Sequence, residues 1–279
     1  MKLRQTLYGA AIIVFLCFLG FSFVGCKQAN SKKETTAITG QDQYRLIILA
    51  GQSNMVGAGR KEEISIPPKN ENIMYYNLGR TMDLRPASDA SFGPELGIMQ
   101  EITRHFPNEK FLIIKYAIGG SSIYDWSPDR DELKVESMGY PKFGKMCDSL
   151  FKYSSEIVAE RNVIPTAFIW MQGETDSRFV QAGKEYYEHF SKLIQRVRKE
   201  YRSDTLPVIY GKVNPEPKRY VGLEEVQKSQ DSIHRTIPYT FMVNTDGLEK
   251  KQDSLHYSSK GQWELGKKFG NVLVDLLKK

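Results

Sequence analysis

Apolar residues along this chain gather into short unbroken runs that stop abruptly in glycine and small polar residues. The run Leu46-Ile47-Ile48-Leu49-Ala50 gives way to Gly51-Gln52-Ser53-Asn54. A continuous run of this length reads as a strand buried on both faces, the kind found in parallel sheets. The pattern returns at Phe111-Leu112-Ile113-Ile114, which leads into Gly119-Gly120-Ser121-Ser122. It returns again at residues 166–171, which lead into Gln172-Gly173-Glu174-Thr175-Asp176. Two more strands are expected at 206–213 and 239–243, with a short candidate at Ile73-Met74-Tyr75-Tyr76. Between these runs the spacing becomes helical. Pro94-Glu95 opens a helix to His105, with proline in its first turn. Met146, Leu150, Tyr153 and Ile157 mark another over 144–161. Further helices are expected over 182–201 and 223–235, and a last one to residue 277 with Ser259 as its N-cap. Residues 57–70 and 121–142 read as loops.

Strands alternating with helices imply right-handed crossovers and a parallel sheet covered on both faces. The expected architecture is a three-layer α/β/α sandwich over residues 44–279 with a five-stranded parallel sheet. At 41% hydrophobic and 26% charged residues, the chain has the composition to build such a core.

The N-terminus stands apart. Lys2 and Arg4 precede an uncharged stretch from Tyr8 to Gly25, followed by Cys26. A basic segment, an apolar segment and small residues before a cleavage point make a secretory signal. Phe23-Val24-Gly25-Cys26 resembles the lipobox of bacterial lipoproteins, with phenylalanine where leucine is usual. That resemblance implies removal of residues 1–25, a lipid on Cys26 and attachment to the bacterial cell envelope, periplasmic or surface-exposed. The alternative is an uncleaved signal anchor, since a stretch of this length just reaches across a bilayer. Residues 26–43 are polar with almost nothing to bury, and are expected to form a disordered tether. Cys17 leaves with the signal and Cys26 carries lipid, so Cys147 is expected as a buried thiol with no disulfide partner. The net charge of +6 is spread along the chain rather than gathered into a basic stripe, which speaks against nucleic acid as a partner.

Candidate chemistry follows the strands. Ser53, Gly119-Gly120, Gln172 to Asp176 and Asp253 to His256 each lie past the end of a predicted strand. In a parallel sheet those ends share one edge, so four distant stretches converge on one cleft. A nucleophilic serine needs a base, and the base needs a group to orient it. His105, His189 and His234 fall in or near predicted helices and are expected at the surface or half-buried. His256 lies in a loop three residues after Asp253, close enough for the carboxylate to reach its Nδ1 across a tight turn. Acyl transfer also needs donors for an oxyanion. The Ser53 N–H, a backbone N–H of Gly119 or Gly120, and the Gln172 amide are candidates. Glu174 and Asp176 allow a second reading as the paired acids of a glycosidase, but that leaves Ser53, Asp253 and His256 without a role. No His/Cys/Asp/Glu cluster with metal-ligand spacing appears.

Together, Ile48-Leu49-Ala50-Gly51-Gln52-Ser53-Asn54-Met55, Ala117-Ile118-Gly119-Gly120-Ser121-Ser122, Trp170-Met171-Gln172-Gly173-Glu174 and Asp253-Ser254-Leu255-His256 resemble four sequence blocks of a known group. It is the sialate O-acetylesterase and acetylxylan esterase branch of the SGNH (GDSL-like) hydrolases. The resemblance implies a flavodoxin-like sandwich and removal of acetyl groups from sugars without metal or cofactor. By position it makes Ser53 the nucleophile, His256 the general base and acid, and Asp253 its orienting partner. Gly119 takes the place of the block-two glycine, with Gly120 a close rival. Gln172 stands where the wider superfamily has asparagine, and Gln52 where it has aspartate; Glu174 is expected to brace its loop from behind. Two alternatives stay open: an esterase or lipase of the same fold acting on a non-carbohydrate ester, and a non-catalytic glycan-binding lipoprotein. Acetylated xylan, pectin, sialic acid and mucin glycans remain candidate substrates. Tyr75, Tyr124, Trp126, Arg130 and Trp263 are candidate wall residues.

Overall fold

The computed structural model describes residues 42–66, 70–77, 91–139 and 143–279. The signal, lipidation and most of the tether expected at the N-terminus lie outside these residues. Among the described residues no helix is long and apolar enough to cross a membrane.

Among the described residues six parallel strands form one sheet: β1 (Gln43–Gly51), β3 (Ile73–Asn77), β5 (Phe111–Ala117), β6 (Asn162–Met171), β7 (Val208–Gly211) and β8 (Thr240–Val243). Their spatial order is β3-β5-β1-β6-β7-β8. Without β3 the order of the remaining strands is that of a flavodoxin-like sheet, in which the chain switches direction at the first strand. The sixth strand is the candidate at Ile73, which adds to the edge alongside β5. Among the described residues it pairs on one side only, and its half-buried and exposed residues carry a weaker signal than the fully buried strands. A two-residue antiparallel pair, β2 (Gly59–Arg60) and β4 (Ser91–Phe92), lies outside the main sheet.

β1 shows why the central strands are so apolar: it is bonded to β5 on one side and β6 on the other, and Leu46 to Ala50 are all buried. β6 begins four residues earlier than its apolar run suggested. Pro165 reads as a breaker, since it cannot donate to a ladder. The chain accommodates it with a bulge: Leu46 faces Pro165 while Ile47 faces Ala167, so Thr166 is passed over.

Helices cover the sheet in two groups. α2 (Glu95–His105) packs on α8 (Ser259–Leu277). α6 (Val180–Glu200) packs on α7 (Leu223–Thr236), and a short α3 (Ile123–Trp126) touches both α6 and α5 (Met146–Val158). Ile98, Ile102, Leu265, Phe269 and Leu273 enter the core from the first group, and Leu150, Tyr186, Phe190 and Ile233 from the second. Cys147 is buried in α5, and burial pushes its thiol up to about 12, as suits a structural cysteine.

Three local expectations change. Where an open loop was expected, residues 123–126 form α3 and residues 132–137 form α4 (Glu132–Ser137). α3 starts in a capping box in which Ser122 and Asp125 bond each other's backbone N–H, a pattern hidden among loop-forming residues. The segment 57–70 contains β2 and a 3-10 turn over Lys61–Glu63. The N-cap of α8 is Ser258, which accepts from the Gly261 N–H; the Ser259 hydroxyl instead donates to Glu63 and accepts from the Arg60 N–H.

Candidate active site

The site begins where β1 ends. Gly51 has φ +146°, and a Cβ there would lie 2.0 Å from the Met171 carbonyl oxygen. Only glycine lets β1 and β6 approach so closely at this point. Gln52 continues that seam by donating its N–H to Met171 O at 2.9 Å. Its carbonyl then accepts from Met55 and Val56, which winds α1 (Ser53–Val56), a single turn that raises Ser53 at the sheet's edge. The far end of this turn is fixed from below. Lys115, buried in β5, donates to Val56 O and to Glu95 Oε2, both at 2.9 Å.

Ser53 Oγ lies 3.0 Å from His256 Nε2, and His256 Nδ1 lies 2.6 Å from Asp253 Oδ2. The structure thus brings together the three residues that the sequence singled out from two distant stretches. A tight turn forms the base loop: Asp253 Oδ1 accepts the N–H groups of Leu255 and His256, and Lys251 N donates to His256 O. Ser254 at its apex takes φ +56°, a region that non-glycine residues seldom occupy. Partial burial works against the Asp253 carboxylate, yet the His256 ring and the two N–H groups together hold its pKa below the ordinary value.

Gly119 sits on the other side of Ser53, where an added Cβ would be 3.7 Å from the serine Cβ. Among the described residues no backbone carbonyl is paired with the N–H of Ser53, Gly119 or Gly120. Gln172 behaves differently from expectation. It is fully buried, and its Nε2 donates to Asp176, to Ser121 O at 3.1 Å and to Gln52 Oε1 at 3.2 Å. Its longer side chain reaches past the cleft to the buried Asp176 carboxylate, so its amide is spent inside the protein. Burial pushes Asp176 up to about 7, against hydrogen bonds from the Ile123 N–H and Gln172.

Gln52, which stands where the wider superfamily has aspartate, gathers the same loop. Its Oε1 accepts from Gln172 Nε2 and from the N–H groups of Gly173 and Thr175, both at 3.3 Å. Its Nε2 has no hydrogen-bond partner among the described residues, and Gln52 lines the cleft next to Ser53. Glu174 is buried, with Oε1 held by Asn54 Nδ2 at 2.6 Å, and burial raises its pKa despite that bond.

A cleft of about 180 Å³ opens over Ser53 and His256. Its other walls are Gly119, Gly120, Glu174, Thr175, Leu255, Tyr220 and Arg178, whose guanidinium lies over the Tyr220 ring at 5.5 Å. None of the five expected wall residues lines it. Trp126 and Tyr124 are core residues, bonded to Ser121 Oγ and Glu185, and the Arg130 side chain is buried beside Asp125. Arg178 lies only four residues past Glu174, a proximity that could have flagged it; nothing in the sequence marks Tyr220. His105 and His234 each bond a backbone carbonyl away from the cleft. His189, expected nearer the surface, is buried, with Nδ1 2.8 Å from Ser127 Oγ.

The same arrangement of strands recurs in solved structures. A crystal structure of an Arabidopsis thaliana protein aligns with 83% of this chain and 98% of its own at 19% identity, with a TM-score of 0.65. NanS aligns with 86% of this chain and 99% of its own at 12% identity and a TM-score of 0.62. A carbohydrate acetylesterase from Xanthomonas citri aligns with 81% of this chain but 55% of its own, at 17% identity and a TM-score of 0.60. In sequence, a probable carbohydrate esterase of Arabidopsis thaliana is 22% identical over 246 residues, covering 80% of this chain and 87% of the relative. The family described as carbohydrate esterase, sialic acid-specific acetylesterase, matches residues 43–275, and the chain belongs to it.

Proposed function

We propose that this protein is a carbohydrate O-acetylesterase that works through Ser53, His256 and Asp253. The observation that carries the reading is the line of hydrogen bonds from Ser53 Oγ through the His256 ring to Asp253, opening on a cleft at the ends of β1, β5 and β6. In this reading the Ser53 hydroxyl attacks the acetyl carbonyl while His256 Nε2 takes its proton. Negative charge gathers on the carbonyl oxygen, and the N–H groups of Ser53 and Gly119 are the backbone donors for it. The unpartnered Nε2 of Gln52 takes the part expected of Gln172. His256 returns the proton to the departing sugar oxygen, leaving an acetyl group on Ser53. Water, activated by the same imidazole, then releases acetate.

The test is acetate release. Acetylated xylan, pectin, sialic acid and mucin glycans, offered beside acetyl and long-chain esters of one chromogenic alcohol, should give turnover on the acetyl compounds. Preference for the long chain, or inertness towards every ester, would replace this reading with a lipase or a binding protein.

A further inference from the structure

Asn54 follows Ser53 in the chain but does not line the cleft, and it is buried to 1% exposure. Its amide has three partners. Oδ1 accepts the Tyr257 N–H at 3.1 Å, Nδ2 donates to Leu255 O at 3.2 Å, and Nδ2 also donates to Glu174 Oε1 at 2.6 Å. Leu255 and Tyr257 are the two neighbours of His256. One side chain beside Ser53 therefore grips the backbone on both sides of His256. The partners also fix which way the amide faces. Turned over, it would set an oxygen against the Leu255 carbonyl and the Glu174 carboxylate, and an NH₂ against the Tyr257 N–H.

The grip matters because Asp253 cannot replace it. The side-chain bonds of Asp253 all go to Leu255 and His256, so they shape the loop without tying it to the Ser53 turn. Among the described residues, the bonds between residues 253–257 and that turn are those of Asn54 and the Ser53–His256 contact itself. We propose that Asn54 is the positioning residue that sets the separation of Ser53 from His256, with Glu174 holding its amide in the working orientation. The proposal rests on reading Ser53 and His256 as nucleophile and base.

Asn54→Asp keeps the size and the acceptor for the Tyr257 N–H but removes the donors to Leu255 and Glu174. With a chromogenic acetyl ester, kcat should fall roughly ten- to a hundredfold, the order expected of a misplacement of about 1 Å, with KM little changed. The rate at which a small fluorophosphonate modifies Ser53 should fall in parallel. Adding Glu174→Gln to Asn54→Asp supplies an amide that can donate to the new carboxylate, and should return part of both rates. Asn54→Ala should resemble Asn54→Asp; if it does not fold, the aspartate variant and its rescue still decide.

The proposal is overturned if folded variants keep wild-type kcat and modification rate. It is equally overturned if the loss appears in KM, or if the unfolded fraction accounts for all of it. These outcomes are separable from failure of the underlying reading. Wild-type protein whose Ser53 resists the fluorophosphonate would remove the serine mechanism and this proposal together, whereas equal modification of wild type and variants removes the proposal alone.

Discussion

Asp253 holds His256 twice, its Oδ2 meeting the ring Nδ1 at 2.6 Å and its Oδ1 accepting the backbone N–H of the same residue at 2.9 Å. One carboxylate thereby fixes both the place of the imidazole and the nitrogen that carries its proton. Asp253→Asn should leave the backbone bond in place and disturb the tautomer, lowering kcat by roughly 10² to 10⁴. Steady-state kinetics with a chromogenic acetyl ester measures this, and a loss below tenfold would count against Asp253 as the orienting group.

The same pair sets a pH dependence of stability. The Asp253 carboxyl titrates below its ordinary value in the folded protein, so the unfolded chain binds its proton first as pH falls. The stability it contributes is complete above about pH 3.9 and is lost as pH drops through the lower folded value. Urea midpoints of wild type and Asp253→Asn should therefore converge towards acid pH.

Asp176 has the opposite sign. Its folded pKa of about 7 lies above the unfolded value near 3.9, so the folded state holds the proton more tightly. This group's contribution should be present below pH 4 and should fall away as pH rises from about 4 to 7. Asp176→Asn should flatten that part of the urea-midpoint profile; an unchanged slope would show that Asp176 is ionised throughout.

Ser53→Ala and His256→Ala should each lower kcat by about a thousandfold or more, and the double variant should be little worse than either, because in the proposed mechanism the two act as one unit. A fluorophosphonate should modify Ser53 in wild type and no serine in Ser53→Ala, as read by mass spectrometry of peptides.

Gly119→Ala places a methyl 3.7 Å from the Ser53 Cβ, an ordinary contact that the fold can absorb. The methyl would occupy the space beside Ser53, the proposed nucleophile, so kcat/KM should fall by roughly ten- to a thousandfold, up to the size of losing an oxyanion donor. Unchanged thermal stability should accompany that loss. Full activity would show that the reaction does not need the space a side chain at residue 119 fills.

The lipobox-like Phe23-Val24-Gly25-Cys26 leads us to propose that Cys26 carries lipid. Cys26→Ala expressed in a bacterial host should abolish fatty-acid labelling and release the protein from the membrane fraction. Labelling that persists in the variant would remove the proposal.

Much of this arrangement was legible because burial and chemistry leave separate marks in the chain. Leu46 to Ala50 had to be a central strand, and the breaks after 50, 117 and 171 showed which ends share an edge. Ser53, Asp253 and His256, which the structure brings together, could be grouped from the sequence because the proposed chemistry requires those side chain types in combination. The cleft walls were not. Arg178 and Tyr220 meet only through folding, while Trp126 and Tyr124 looked suited to a sugar yet serve the core. Pro165 hid the start of β6 because a bulge absorbs its missing donor. The inward turn of the Gln172 amide was not legible, because residue type gives an amide's capacity to donate, not the direction in which a neighbouring carboxylate will turn it.

No side chain fits between Gly51 and the Met171 carbonyl, so the sheet has no slack directly beneath Ser53. The loops that meet above it hang from the next few residues: Gln52 carries 172–175, and Asn54 carries 255–257. Regions tied in this way open as one cooperative unit. In native-state hydrogen exchange the amides of this rim should slow together and exchange with the free energy of the central strands, instead of fraying loop by loop as surface connections do. A site built from four distant pieces of chain would then share the lifetime of the sheet that carries it.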